Sequence, residues 1–283
     1  MYTTIVSTDL LASHLTDWAI VDCRFDLQNV PWGRDQYRLA HVPGAVYANL
    51  NEDLSGTLDG SNGRHPLPAI DALAATLGRR GIDRRTQVIA YDQDTGSYAS
   101  RLWWLLRYLG HDAVAVLDGG WAQWAREGRP TRSGDETRQE TTFTPSPRTE
   151  LSVGLADVIA HIGDSQRVLI DARAAERFEG RSETIDRVAG HIPGAVNHFF
   201  KQNLGADGTM LSPETLLANF ERVLGGHTPA QAVMYCGSGV TACQNLLAME
   251  HAGLRGAALF VGSWSEWSGD PSRPIETGSS QRK

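Results

Sequence analysis

The sequence predicts an α/β protein built from two tandem domains, each with a mostly parallel sheet flanked by helices. Three observations lead to this prediction: the chain has 283 residues, its motifs occur twice in the same order, and apolar strand-like segments alternate with helical ones. This length suits two domains of about 140 residues each. Hydrophobic residues make up 41% of the chain and charged residues 21%, which is typical of globular proteins.

The internal repeat is the strongest of these observations. His-Val-Pro-Gly-Ala-Val at 41–46 returns as His-Ile-Pro-Gly-Ala-Val at 191–196. Asp-Gly-Gly-Trp-Ala-Gln-Trp at 118–124 returns as Val-Gly-Ser-Trp-Ser-Glu-Trp at 261–267. A period of about 150 residues is far longer than a solenoid repeat, so the halves are predicted to be complete domains.

Composition places the domain boundaries. A stretch rich in Thr, Ser, Pro and charge lies between the two halves and is predicted to be a linker. The predicted organisation is a first domain over residues 1–130, a linker over 131–150 and a second domain over 151–283.

Periodicity within each half predicts strands alternating with helices. Such an alternation implies a parallel sheet covered on both faces, with functional sites at the carboxyl ends of the strands. The predicted strands are 18–22, 87–91, 113–117, 168–171, 232–235 and 257–260, and the predicted helices are 70–80, 97–109, 155–162, 213–224 and 239–252.

One loop of the second half carries the residues that predict chemistry. A strand ends at Tyr235, and Cys236, Gly237, Ser238 and Gly239 lie before the next helix. Two glycines let such a loop curl so that its N–H groups point inward, and a helix N-terminus favours an anion. This setting stabilises a thiolate or the terminal sulfur of a persulfide, so Cys236 is the predicted nucleophile.

Other uses of a glycine-rich loop fit less well. A Walker loop needs a Lys after its last glycine, and none follows here. A cysteine phosphatase needs an Arg six residues after its cysteine, where this chain has Ala242. In the first half Asp92 stands in place of Cys236, and because a carboxylate cannot carry a persulfide, that domain is predicted to be non-catalytic.

Composition also limits location and partners. The chain has three cysteines, a sparse and odd count that favours a reducing cytoplasm over a disulfide framework. The formal net charge of -7 argues against a nucleic-acid or membrane partner, and we expect neither a signal peptide nor a transmembrane segment. No metal-ligand spacing is evident, and no cofactor is expected.

Taken together, the repeated His-x-Pro-Gly-Ala element, the cysteine loop and the Gly-Ser-Trp-Ser-Glu-Trp element resemble the tandem-domain rhodaneses over nearly the whole chain. That family includes thiosulfate and 3-mercaptopyruvate sulfurtransferases. Its mercaptopyruvate-preferring members resemble Cys-Gly-Ser/Thr-Gly-Val-Thr, as at Cys236–Thr241, whereas thiosulfate-preferring members resemble Cys-Arg-Lys-Gly-Val-Thr.

The resemblance implies transfer of a sulfane sulfur from 3-mercaptopyruvate, through a persulfide on Cys236, to a small thiol, thioredoxin or cyanide. A neutral loop favours this donor because its carboxylate lies away from the reacting sulfur, whereas thiosulfate is a compact dianion. Two alternatives stay open, a thiosulfate sulfurtransferase and a carrier module that receives persulfide from a partner protein.

The resemblance also implies roles for particular residues. The catalytic residues that it implies are Cys236, Ser238 and His65. Asn51 stands at the acidic position of the family's Ser-His-Asp relay, so either a neighbouring carboxylate or water with His65 serves there. The substrate-binding residues implied are Arg177 with Arg181 or Arg187, and Gly237, Gly239, Val240 and Thr241 of the loop.

Several residues are predicted to be structural. His41 and His191 occur in both halves, including the half without a nucleophile, which favours a role in the turn. The pairs Asp22/Arg24 and Asp171/Arg173 repeat in the same way and are expected to form ion pairs. Cys243 is expected to be a packed thiol.

Overall fold

The computed structural model describes residues 1–279, so residues 280–283 at the end of the predicted second domain lie outside the described residues. The chain divides into two compact units. Unit 1 comprises Met1–Gly56, Pro68–Arg148 and Gly205–Met210. Unit 2 comprises Thr57–Leu67, Thr149–Leu204 and the chain from Leu211 onward. Within residues 1–279, no helix has the length and apolar content needed to cross a membrane.

Unit 1 contains a five-stranded sheet in the order β1-β5-β4-β2-β3, and all of its pairings are parallel. Every residue of β2, β4 and β5 is buried, which explains why these strands are apolar apart from Asp22 at the end of β2. The elements are β1 Ile5–Val6, α1 Thr8–Ala12, β2 Ala19–Asp22, α2 Trp32–Leu39, β3 Val46–Tyr47, α3 Ile70–Arg79, β4 Val88–Tyr91, α4 Ser97–Tyr108, β5 Val114–Leu117 and α5 Gly120–Arg126.

Unit 2 repeats this arrangement in the order β6-β10-β9-β7-β8, again with parallel pairings. The predicted fold class is confirmed, and the sheets are wholly parallel where the sequence predicted mostly parallel ones. The elements are β6 Ser152–Val153, α6 Leu155–Ala160, β7 Val168–Asp171, α7 Ala175–Phe178, β8 Val196–Asn197, α8 Pro213–Leu224, β9 Ala232–Tyr235, α9 Ala242–His251, β10 Ala258–Phe260 and α10 Ser263–Trp267.

Helix α9 begins later than predicted. The sequence predicted a helix from residue 239, whereas the helix starts at Ala242. Gly239 has a φ of 73°, in the left-handed region, and therefore cannot belong to a right-handed helix. The loop after Cys236 correspondingly extends to Thr241, three residues further than predicted.

Buried ion pairs repeat at equivalent positions of the two units, as predicted. Arg24 Nη2 lies 2.6 Å from Asp22 Oδ2, and Arg173 Nη2 lies 2.7 Å from Asp171 Oδ2. Each guanidinium also donates to a backbone carbonyl and lies over a tryptophan ring. Because the arrangement is present both in unit 2, whose loop carries Cys236, and in unit 1, whose loop carries Asp92 instead, it serves the fold.

The repeated histidines also serve the fold. His41 Nδ1 lies 2.7 Å from the Tyr37 carbonyl oxygen, and His191 Nδ1 lies 2.7 Å from the Phe178 carbonyl oxygen. Each imidazole ring stacks on the side chain of that same residue. These contacts tie the turn before Pro-Gly to the preceding helix, as predicted.

Each unit contains a short segment from the other half of the sequence. Thr57–Leu67 groups with unit 2, and Gly205–Met210 groups with unit 1. Within unit 1, the Met210 N–H donates to Asp118 Oδ1 over 2.8 Å. The exchange places His65, about 170 residues before Cys236, in the same unit as the cysteine.

Candidate active site

The loop between β9 and α9 holds Cys236, which is only 2% exposed. A neighbouring turn at the start of α10 fixes this loop through its backbone. The Trp264 N–H donates to the Cys236 carbonyl over 2.9 Å, and the Ser265 N–H donates to the Gly237 carbonyl over 2.8 Å. The Cys236 N–H donates to Ser263 Oγ over 3.1 Å. The nucleophile therefore sits on a loop that is held before any substrate binds.

Backbone conformation restricts which residues this site accepts. Gly239 has a left-handed φ, and a Cβ at this position would meet the carbonyl oxygen of Val261. Ser263 has a φ of 53°, the only positive value among non-glycine residues 1–279. Such strain persists where surrounding contacts require it, and it concentrates at functional sites.

Unit 1 contains the matching loop, in which Asp92 occupies the place of the cysteine. The Trp121 N–H donates to the Asp92 carbonyl over 2.8 Å, just as Trp264 does to Cys236. The Asp92 carboxylate accepts backbone N–H groups from Gly96 at 2.9 Å and Tyr98 at 2.8 Å, with two longer contacts. Burial raises the pKa of Asp92 to about 6, against the effect of these donors. This loop geometry can thus hold an anionic group on backbone amides.

Ser238 and His65 lie together, as the sequence predicted for two catalytic residues. Ser238 Oγ is 2.8 Å from His65 Nδ1, and the two residues are 6% and 5% exposed. A hydroxyl hydrogen-bonded to an imidazole can pass a proton to or from a reacting group. Two residues after the cysteine, the chain therefore presents a group able to act as an acid or a base.

Arg177 reaches the cysteine loop, as expected. Its Nη2 lies 3.6 Å from the position that a Cβ would take on Gly237. The guanidinium is fixed by two carboxylates, with Nε 2.9 Å from Glu183 Oε2 and Nη2 2.7 Å from Asp186 Oδ2. A cation is therefore held beside the nucleophile.

The two other predicted arginines, Arg181 and Arg187, are both exposed. Arg181 pairs with Glu179 over 2.6 Å. Within residues 1–279, no hydrogen bond or ion pair joins either arginine to the cysteine loop. Their role in substrate binding therefore stays a prediction.

The sequence did not identify Arg64 as a site residue. Its Nη1 forms an ion pair with Asp186, and its Nη2 lies 2.8 Å from the Cβ position on Gly237. Arg64 carries no motif and is about 170 residues from the loop in sequence. The one available signal was its position directly before His65.

The structure also locates the other residues that were named from the sequence. Val240 is buried and its carbonyl accepts the Cys243 N–H, while Thr241 directly precedes α9. Cys243 is fully buried and donates to the Gly239 carbonyl, so the prediction of a packed thiol is confirmed. Asn51 is exposed, and its N–H donates to Asn49 Oδ1.

The neighbours of Asn51 have partners within unit 1. Glu52 pairs with Arg34 over 2.5 Å, and Asp53 pairs with Arg80 over 2.6 Å. Both carboxylates are thus engaged with arginines of the same unit.

Comparison with known proteins agrees with this architecture. The family model described as Rhodanese-like domain matches residues 7–127 and 155–270. A Pseudomonas aeruginosa protein named probable 3-mercaptopyruvate sulfurtransferase is 43% identical over 278 residues, covering 97% of this chain and 98% of that protein. The Rattus norvegicus thiosulfate sulfurtransferase is 33% identical over 279 residues, covering 94% and 92%. The solved 3-mercaptopyruvate sulfurtransferase from Leishmania major matches with a TM-score of 0.85 and 31% identity, covering 94% of this chain and 74% of that one.

Two parallel sheets of the same topology, each followed by a matching loop, define a tandem α/β protein in which only the loop of unit 2 carries a cysteine. With both halves matched by the same family model, the chain belongs to the rhodanese family. It is a sulfurtransferase of the rhodanese and 3-mercaptopyruvate sulfurtransferase type.

Proposed function

We propose that the chain transfers a sulfane sulfur from 3-mercaptopyruvate to a thiol acceptor, thioredoxin or cyanide, through a persulfide on Cys236. The observation that carries this proposal is the contact between Ser238 and His65 beside a neutral cysteine loop. Pyruvate leaves as an enolate and needs a proton, whereas sulfite leaves thiosulfate with its charge already in place. A buried hydroxyl–imidazole pair beside the nucleophile suits the first donor.

The reaction proceeds in two halves. The Cys236 thiolate attacks the sulfur of the donor, a sulfur–sulfur bond forms, and the donor's carbon–sulfur bond breaks. The electron pair of that bond passes to the enolate of pyruvate, which takes a proton delivered through Ser238 and His65. The acceptor nucleophile then removes the outer sulfur and regenerates the thiolate.

The loop stabilises charge during the first half. By analogy with the matching loop of unit 1, whose N–H groups donate to Asp92, we infer that its backbone N–H groups face the Cys236 sulfur. Donors that are fixed before the reaction stabilise developing charge without reorganising. We therefore assign Gly237, Gly239, Val240 and Thr241 to this role, and Arg177 to the donor's carboxylate.

A thiosulfate sulfurtransferase is the second candidate. The arginines beside Gly237 favour it, because fixed cations would also attract a compact dianion. The third candidate is a carrier module that receives persulfide from a partner protein. Such a module would turn over small donors poorly.

Steady-state kinetics with 3-mercaptopyruvate and thiosulfate, measured side by side with one thiol acceptor, test the proposal. We expect kcat/KM to favour mercaptopyruvate by about tenfold or more. A preference for thiosulfate would overturn the donor assignment. Cys236→Ser should abolish sulfur transfer, and retention of activity by this variant would overturn the persulfide mechanism. Cys243→Ser is the control and should keep its activity.

A further inference from the structure

Ser263, the residue at which α10 begins, has a backbone conformation that serines rarely adopt. Its φ of 53° lies in the left-handed region, and the residue is fully buried. For residues other than glycine this conformation costs free energy, because Cβ comes too close to a backbone carbonyl oxygen. Such a strained residue persists where the contacts that it makes require it.

The matching position of unit 1 is a glycine. The segment Asp-Gly-Gly-Trp at 118–121 corresponds to Val-Gly-Ser-Trp at 261–264, so Gly120 stands where unit 2 has Ser263. Gly120 has a φ of 54°, and the two positions therefore share a left-handed φ. A Cβ on Gly120 would lie 2.7 Å from the Asp92 carbonyl oxygen, which excludes a side chain there. Glycine makes this turn without strain, so the turn by itself does not require a serine.

The hydroxyl of Ser263 is what distinguishes the turn of unit 2. Its Oγ accepts the Cys236 N–H over 3.1 Å and donates to the Phe260 carbonyl over 2.9 Å. Phe260 is the last residue of β10, and Cys236 directly follows β9, the strand that pairs with β10. The hydroxyl thus ties the main chain of the nucleophile to the end of a buried strand. Gly120 has no hydroxyl, so unit 1 lacks the equivalent of both hydrogen bonds.

These contacts hold the Cys236 main chain on both sides of its Cα atom. The Ser263 hydroxyl holds its N–H, and the Trp264 N–H donates to its carbonyl over 2.9 Å. The direction of the Cα–Cβ bond is thereby fixed, and with it the region that the sulfur can reach. A reacting group that is held in its attacking orientation reacts faster, and a displacement of about 1 Å can cost about 100-fold in rate. Asp92 attacks no substrate, so unit 1 has no need of such a tether.

We propose that Ser263 is a positioning residue for sulfur transfer, which acts through the Cys236 N–H. The inference rests on the proposed function in one respect, that Cys236 carries the persulfide, and it is independent of the donor. In the first half-reaction the Cys236 sulfur attacks the donor. In the second the acceptor attacks the outer sulfur, the sulfur–sulfur bond breaks, and its electron pair returns to Cys236. Both steps need the same orientation of the cysteine, so Ser263 acts on both rates and leaves donor binding unchanged.

Two substitutions, Ser263→Ala and Ser263→Gly, separate the hydroxyl from the strain. Both remove the hydroxyl, but only alanine keeps a Cβ at the left-handed φ, so the glycine variant should melt about 2–4 °C above the alanine variant. In single-turnover experiments with 3-mercaptopyruvate or thiosulfate, whichever the unmodified protein uses better, both variants should form the persulfide about 10-fold more slowly. Transfer of its sulfur to cyanide should slow by a similar factor. The donor concentration that gives half the maximal rate should stay within about twofold.

Ser268→Ala is the matched control, because Ser268 is also buried, directly follows α10 and donates to the Trp264 carbonyl over 2.7 Å. Its rates should stay within about twofold of the unmodified protein. Two results would overturn the inference. One is unmodified rates in Ser263→Gly, which would mean that the serine only fills the turn, and the other is a change confined to the donor's half-saturating concentration. Failure of the proposed function is distinct, because mass spectrometry would then find no persulfide on Cys236 of the unmodified protein.

Discussion

Removal of the Ser238 hydroxyl should separate the two classes of sulfur donor. Ser238→Ala deletes the group that lies 2.8 Å from His65 Nδ1. If this pair protonates the departing enolate, the first half-reaction with 3-mercaptopyruvate should slow by about 100-fold, or about 2.7 kcal/mol, the lower end for acid–base catalysis. We choose the lower end because a water molecule can enter the space of the hydroxyl and partly replace it.

Single-turnover kinetics provide the assay. The rate of persulfide formation is measured with 3-mercaptopyruvate and with thiosulfate, and we expect less than about a threefold change for thiosulfate because sulfite needs no proton to leave. Ser268→Ala is the matched control, since Ser268 is also 6% exposed and donates to the Trp264 carbonyl. Each variant should lose about 1 kcal/mol of unfolding free energy, which chemical denaturation checks.

Two outcomes would refute this reasoning. Equal slowing with both donors would mean that Ser238 shapes the loop and does not handle a proton. Unchanged rates with both donors would remove the Ser238–His65 pair from the mechanism altogether.

Two further predictions concern the loops themselves. Gly239→Ala should lower the melting temperature and the rate of sulfur transfer more than Gly253→Ala does. Both glycines have a left-handed φ, but only at Gly239 would the new Cβ meet a backbone oxygen, whereas Gly253 has open space around it. Equal effects of the two substitutions would mean that the backbone conformation alone matters. Burial raises the pKa of Asp92 from 3.8 to about 6. The stability contributed by the buried, protonated Asp92 carboxyl is therefore full below about pH 4 and is lost as pH rises through 6. In urea unfolding, the unmodified protein should therefore lose about 2 kcal/mol of unfolding free energy between pH 4.5 and pH 7 that Asp92→Asn does not lose, and an identical pH dependence in both proteins would contradict the buried carboxylate.

Local pattern was enough to predict the fold class and the nucleophile. The repeat of His-x-Pro-Gly-Ala, the apolar strands and the glycine loop around Cys236 are all visible within short segments, because a buried strand is marked by an apolar run and a tightly curved loop by its glycines. The pairing of Asp22 with Arg24 and of Asp171 with Arg173 was visible for the same reason, since each pair is two residues apart.

Only the tertiary structure decided how the rest of the site is assembled. Arg64 and Asp186 meet beside Gly237 because residues 57–67 fold with the second half of the chain, and no periodicity in sequence records such a long-range contact. Sequence order offered Arg181 and Arg187 as partners of Arg177, whereas the structure shows Arg64 as a further arginine near Gly237. The sequence by itself thus determined the fold and the reacting atom, while the packing of distant segments determined which charges surround that atom.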